Sequence, residues 1–289
     1  MEVKPIAPHY DVAFKAVFSR ENLPVIADFL EAVPGISKES IEEITVADPH
    51  LPRRNRDDKL AILDLRLVLK NGEHVNVELQ VVHLPSTWKR IEYQNSRLLA
   101  DQLSSGEEYK KLHRAITIVI SYSEMLLKER PEYHFRFVRY DPVAQVSFPG
   151  SSEIHVLQVK KVLETDTSPL GTWLRFFKAE KTEEFEMVSE IRPALATAWG
   201  SLKDLSADPA ARRLADAEEM QRRDMVDRIE GAREEALEEG IEIGREEGKL
   251  RERQKTVLQL LGLKWSHEAI ADFTGMPIDQ VRALENSSS

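Results

Sequence analysis

Leu60-Ala61-Ile62-Leu63-Asp64-Leu65-Arg66-Leu67-Val68-Leu69-Lys70-Asn71-Gly72-Glu73-His74-Val75-Asn76-Val77-Glu78-Leu79-Gln80 is the stretch on which the fold turns. It contains two runs of alternating apolar residues around Lys70-Asn71-Gly72. A three-residue hairpin loop with Gly72 in the left-handed position joins them. Leu69 then faces Glu73, Leu67 faces Val75, Leu65 faces Val77 and Leu63 faces Leu79, which makes one apolar face. On the other face Val68 meets His74, Arg66 meets Asn76 and Asp64 meets Glu78, with Gln80 one step beyond. A two-residue Asn71-Gly72 turn would set Asp64 beside Leu79 and mix both faces. Because a one-residue slip moves every side chain across the sheet, the hydrophobic pattern selects the first register.

Two opposed carboxylates destabilise a sheet unless something neutralises them. A divalent cation does so, and hard oxygen ligands suit Mg²⁺. The other reading of Asp64 and Glu78 is a solvated polar face, which is ordinary in antiparallel sheets.

Working outward, Asp11 to Leu30 predicts a helix with Phe14, Val17, Phe18, Val25, Ile26, Phe29 and Leu30 at helical spacing and Pro24 as a break. Ile41 to Val46 is a short strand. The hairpin strands span roughly 59–70 and 73–82. Pro85-Ser86-Thr87 starts a long helix that ends near Ser105-Gly106. Ala115 to Tyr122 is nearly all apolar and β-branched, as a central strand requires. Tyr133 to Tyr140 and Glu153 to Val159 are further strands. From Ser168 onward the pattern is helical.

The chain divides by composition into a strand-containing domain, 1–205, a charged Gly/Glu-rich helical segment, 206–261, and a small helix-turn-helix-like hairpin with a disordered tail, 262–289. In the second segment Gly240, Gly244 and Gly248 share one helix face. That face suits close helix approach and homo-oligomerisation; the alternative is a helical linker supported by Glu–Arg and Glu–Lys pairs. In the third, Ser266 is an N-cap candidate and Thr274-Gly275-Met276-Pro277 makes the turn.

The 289 residues are 42% hydrophobic and 31% charged, with formal net charge −10. An acidic chain argues against non-specific nucleic-acid binding as a whole-protein property. A local basic strip remains: Arg53, Arg54, Arg56 and Lys59 precede the Asp64 strand, and Lys89, Arg90 and Arg97 follow the Glu78 strand. With no cysteine, disulfides and thiolate metal sites are excluded. No run crosses a bilayer and the N-terminus lacks a secretory signal, so a cytoplasmic setting is expected. Walker-type phosphate loops, His-Glu-x-x-His and Gly-x-Ser-x-Gly are absent, and Ser86-x-x-Lys89 is too short a pattern to carry weight. His74 and His83 lie near the site strands.

Five motifs occur in order: Asp11-x-x-Phe14-Lys15-x-x-Phe18, Asp58-Lys59-x-x-x-x-Asp64, Asn76-Val77-Glu78-Leu79-Gln80, Arg90-x-x-Tyr93, and Leu99-x-x-Gln102-Leu103-x-x-Gly106-x-x-Tyr109. As a set they resemble the recombination-promoting nuclease/transposase family of the PD-(D/E)xK superfamily, over residues 8–125. The C-terminal helices are similar to tails in that family. The resemblance implies an α/β, restriction-endonuclease-like mixed sheet flanked by helices, with an α-helical C-terminal extension. It also implies metal-dependent DNA endonuclease activity with Mg²⁺, or Mn²⁺, in recombination or transposition. Asp64 and Glu78 match the two metal-binding acids. Gln80 stands where the wider superfamily has lysine, and would position the nucleophilic water. Lys15, Arg90 and Tyr93 are candidates for phosphate contact or site support, or for helix packing. Asp11 is a catalytic acid or an N-cap. The alternative function is a catalytically degenerate nuclease fold acting as a DNA- or partner-binding assembly module.

Overall fold

In the computed structural model, which describes residues 4–51, 61–123 and 129–288, the hairpin closes through the three-residue loop. Leu69 N donates to Glu73 O at 2.9 Å and Gly72 N to Leu69 O at 2.8 Å. The ladder pairs Leu65 with Val77, Arg66 with Asn76, Leu67 with Val75 and Val68 with His74, the register selected by the apolar pattern. Gly72 has φ +82°, so the loop needs a residue at ease in the left-handed region. A Cβ there would also meet the His113 ring at 2.6 Å. Gly72→Ala is therefore expected to cost about 1–2 kcal/mol from the backbone alone, even if exposed His113 swings aside. Urea unfolding measures it, and an unchanged midpoint would contradict the loop assignment.

The elements in chain order are α1 Asp11–Val17, α2 Leu23–Ala32, α3 Lys38–Ile41, β1 Ile44–Val46, β2 His50–Leu51, β3 Ala61–Ile62, β4 Leu65–Leu69, β5 His74–Gln80, α4 Thr87–Ala100, β6 Ala115–Ser121, β7 His134–Phe137, β8 Tyr140–Asp141, β9 Val146–Ser147, β10 Ser152–Gln158, α5 Pro169–Lys178, α6 Thr182–Ser189, α7 Pro193–Ala207, α8 Pro209–Gly262, α9 His267–Thr274 and α10 Ile278–Ser288. The main sheet has the order β1-β4-β5-β6-β10-β7. The pairs β5–β6 and β6–β10 are parallel; β1–β4, β4–β5 and β10–β7 are antiparallel. This is an α/β mixed sheet flanked by helices with a helical C-terminal extension, as expected. Two small ladders, β2–β3 and β8–β9, have no counterpart in the sequence reading.

The expected first helix is broken in two, with a short 3-10 turn, Arg20–Asn22, ahead of Pro24. Proline is tolerated only in the first turn, so the second helix starts at Leu23. The expected long strand from 59 to 70 is also divided. Ala61 and Ile62 leave to pair with His50 and Leu51, and the main-sheet ladder resumes at Leu65.

The apolar face of the hairpin, Leu65, Leu67, Leu69, Val75 and Val77, is buried with Ile116, Ile118, Ile120 and Leu157 against helices α1, α2, α5 and α7. Phe14, Phe18, Phe29, Trp173 and Phe177 interlock there, with ring centroids such as Phe14–Phe18 at 5.0 Å and Phe29–Trp173 at 5.3 Å. The other sheet face is covered by α4. Asn95 fastens that helix by donating to Thr117 Oγ1 at 2.9 Å and to Glu153 O at 3.2 Å.

Packing separates Met1–Arg222 from Arg223–Ser289. The first unit includes the start of α8, where Ala211 and Ala215 join the main core. The second has its own small core of Val257, Ile270, Met276 and Val281. There Ser266 accepts from Ala269 N at 3.3 Å, and Gly275 ends α9 with φ +68°, the expected cap and turn. Helix α10 runs to Ser288, into the Asn286-to-Ser289 stretch expected to be disordered, as a continuation of the helical turns anchored by Val281; Ser289 lies outside the described residues.

Candidate active site

Alternation in β5 places His74, Asn76, Glu78 and Gln80 on the face toward α4. Asn76, Glu78 and Gln80 are buried, with Glu78 4% exposed. The strand break at Leu63 places Asp64 in a bend rather than in the ladder. Leu63 N bonds to Pro49 O at 3.0 Å, which turns the chain just before the acid. Asp64 and Glu78 therefore meet through a backbone-to-side-chain link instead of a plain cross-strand pair. Asp64 N donates to Glu78 Oε1 at 3.2 Å, and Leu79 N donates to Asp64 Oδ2 at 2.7 Å.

Both carboxyl groups are held above their ordinary range. Burial pushes Glu78 up to about 7, and the neighbouring Asp64 charge adds to it; the Asn76 amide, the Asp64 N–H and Arg90 pull the other way. Asp64 is raised chiefly by burial, against the Leu79 N–H bond, with Asp11 raising it and Arg90 and Lys15 lowering it. The two titrate as a pair.

Gln80 does not stand free. Arg90 Nη2 donates to its Oε1, and its Nε2 donates to Val82 O. Arg90 is thus brought from α4 to the strand position two residues beyond Glu78, and its charge is felt by both acids. Lys15 is exposed on α1 and pairs with Asp11 at 2.6 Å. Asp11 is the first helical residue and not the N-cap, which is Tyr10. Its backbone N–H is taken by Glu218 Oε2 at 2.9 Å, from the first turns of α8. Nothing local in the sequence announces that contact, which joins residues 207 positions apart. Tyr93 packs beside Leu51, Leu63 and Leu98, and its hydroxyl accepts from Arg97 Nη1 at 3.2 Å. It supports the Leu63 bend by packing. Arg97 is engaged with Asp101 at 3.1 Å.

Lys89 and Arg90 are exposed on α4. The basic group Arg53, Arg54, Arg56 and Lys59, with Asp58, lies outside the described residues. His83 is exposed with its ring 6.4 Å from Trp88, and no bond links His74 or His83 to the acids among the described residues. Among those residues no group of three or more acids and histidines is arranged to hold a metal ion. The pair alone offers hard oxygens, strained by mutual charge and burial, which is the donor chemistry a divalent magnesium-like ion matches with water completing its shell. Asn76 belongs to the site and was missed as a site residue. Its signal was the period-2 spacing from Glu78, on the same strand face.

Over most of the chain, residues 8–232, the sequence matches the model of a family described as PD-(D/E)XK nuclease family transposase. No curated protein and no solved structure matches it.

Proposed function

Because the chain belongs to the PD-(D/E)XK nuclease family transposases, we propose that it is a metal-dependent DNA endonuclease that hydrolyses phosphodiester bonds, in the service of recombination or transposition. The observation that carries the reading is the Asp64–Glu78 pair, Glu78 buried and Asp64 half-buried, linked at Asp64 N with Arg90 bound to Gln80 beside it. Asp64 and Glu78 would hold Mg²⁺, with Mn²⁺ as a substitute. The ion would supply an activated water and neutralise charge on the scissile phosphate.

The chain's own residues do the remainder. Gln80 keeps its second amide N–H to orient the attacking water. Arg90, held on Gln80, supplies the fixed cation that a lysine supplies elsewhere in the superfamily, stabilising charge as it develops on phosphorus oxygens. Lys15 and Lys89 are exposed and would meet the DNA backbone electrostatically. Tyr93 supports the site through Leu63. This chemistry fits a cytoplasmic enzyme acting on DNA, and no described helix is long and apolar enough to cross a membrane.

The catalytic role falls to residues 1–205, with 206–261 and 262–289 as accessory segments. Leu237, Ile241 and Ile243 are exposed on α8, and a Cβ at Gly240, Gly244 or Gly248 would meet no neighbour within 4 Å. Those features suit self-association through that helix.

Supercoiled plasmid tests the proposal. Nicking is expected with Mg²⁺ or Mn²⁺ and none with chelator. Folded protein that bound DNA without cutting under any divalent ion would favour the assembly-module alternative.

A further inference from the structure

Asn76 is wholly buried in β5, two residues before Glu78 on the same face. Its Nδ2 donates to Glu78 Oε1 at 2.9 Å, the same oxygen that accepts from Asp64 N. Its own Oδ1 is buried and has no hydrogen-bond partner among the described residues. A buried carbonyl without a partner is a standing cost to the fold. An apolar residue would satisfy the strand position without that cost, as Val75 and Val77 do on the opposite face.

The amide orientation follows from its neighbour. A carboxylate is acceptor-only, so the NH₂ end must face Glu78 and the carbonyl end is left in the core. Two donors converge on Glu78 Oε1, and no hydrogen bond joins Oε2 to any described residue. The carboxylate is thereby clamped on one oxygen, with the other left for an outside partner.

We propose that Asn76 is a positioning residue, which clamps Glu78 Oε1 so that Oε2 is presented to a divalent cation. This rests on the metal-site reading of Asp64 and Glu78. Residues that orient metal ligands through hydrogen bonds commonly change metal affinity by about 10–100-fold when replaced.

The test uses the full chain and Mn²⁺ itself as the probe, followed by electron paramagnetic resonance titration. Asn76→Leu keeps the branched shape and heavy-atom count, removes the donor and removes the partnerless carbonyl; the smaller Asn76→Ala is the second variant. The expected result is about 10–100-fold weaker Mn²⁺ binding. Thermal stability of Asn76→Leu in chelator should be equal or higher. In cleavage, the Mg²⁺ concentration for half-maximal rate should rise more than the saturated rate falls. A residue with a merely structural role would lower stability without moving metal affinity. Parent-like Mn²⁺ binding by either folded variant overturns the proposal, and so does failure of both to fold. If the parent itself binds no Mn²⁺, the metal-site reading falls, and the positioning role with it. Parent binding with unchanged variant binding removes only the role of Asn76.

Discussion

Glu78→Gln and Asp64→Asn are each expected to lower DNA cleavage on the order of 10³-fold, about 4 kcal/mol of transition-state stabilisation, with the fold intact. Amide replacements are chosen because the structure accommodates them. Glutamine at 78 retains an oxygen for the Asn76 amide and the Asp64 N–H. Asparagine at 64 retains an acceptor for Leu79 N. What each loses is negative charge, and with it the capacity to hold a divalent ion. Cleavage by purified protein with Mg²⁺, checked alongside circular dichroism, decides the matter. If either folded variant cleaved at the parental rate, that acid would not belong to the reacting centre.

The second large effect is on stability in the absence of metal. Glu78 titrates near 7 in the folded chain against an ordinary 4.5, because burial and Asp64 disfavour its charged form. A raised carboxyl means the folded state binds more protons than the unfolded state between those values. Stability must then fall as pH rises through that window. The direction for Asp64 is the same. His9, His74 and His134 act oppositely. Burial lowers each to about 4, so their contribution is lost as pH falls below the ordinary histidine value of 6.5.

The difference between parent and Glu78→Gln separates the two effects. In chelator, the parent should lose stability relative to the variant on going from pH 5 to pH 8. Adding Mg²⁺ at pH 8 should restore the parent and leave the variant unmoved, since a ligand stabilises only the state that binds it. Parallel pH profiles for the two proteins in chelator would show that Glu78 carries no penalty, and that its burial is relieved by solvent or by a neighbour.

Much of this site was legible because strand chemistry is local and periodic. The alternation from Leu65 to Val77 selected the register, and Gly72 supplied the left-handed turn that the register needs. Glu78 and Gln80 share a face for the same reason, whereas Asp64 reaches Glu78 from the bend outside the ladder. The ordered motifs identified the family, and Phe14 and Phe18 of the first motif are core aromatics, as their helical spacing implied.

Other features were settled only by tertiary structure. The bend at Asp64 arises because Ala61 and Ile62 pair with His50 and Leu51, a choice between partners that alternation cannot make. Insertion of β10 between β6 and β7 is a long-range pairing, since Tyr133 to Tyr140 and Glu153 to Val159 are strand-like wherever they dock. Arg90 reaches Gln80 because α4 is seated across β5, β6 and β10 by Asn95 and its neighbours. Glu218 caps Asp11 because the first turns of α8 join the main core. The amino-acid sequence by itself determined which residues share a face, because side-chain direction in a strand follows from the backbone alone. The tertiary structure decided which faces meet, because that depends on competition among distant partners for the same hydrogen bonds and the same apolar surface.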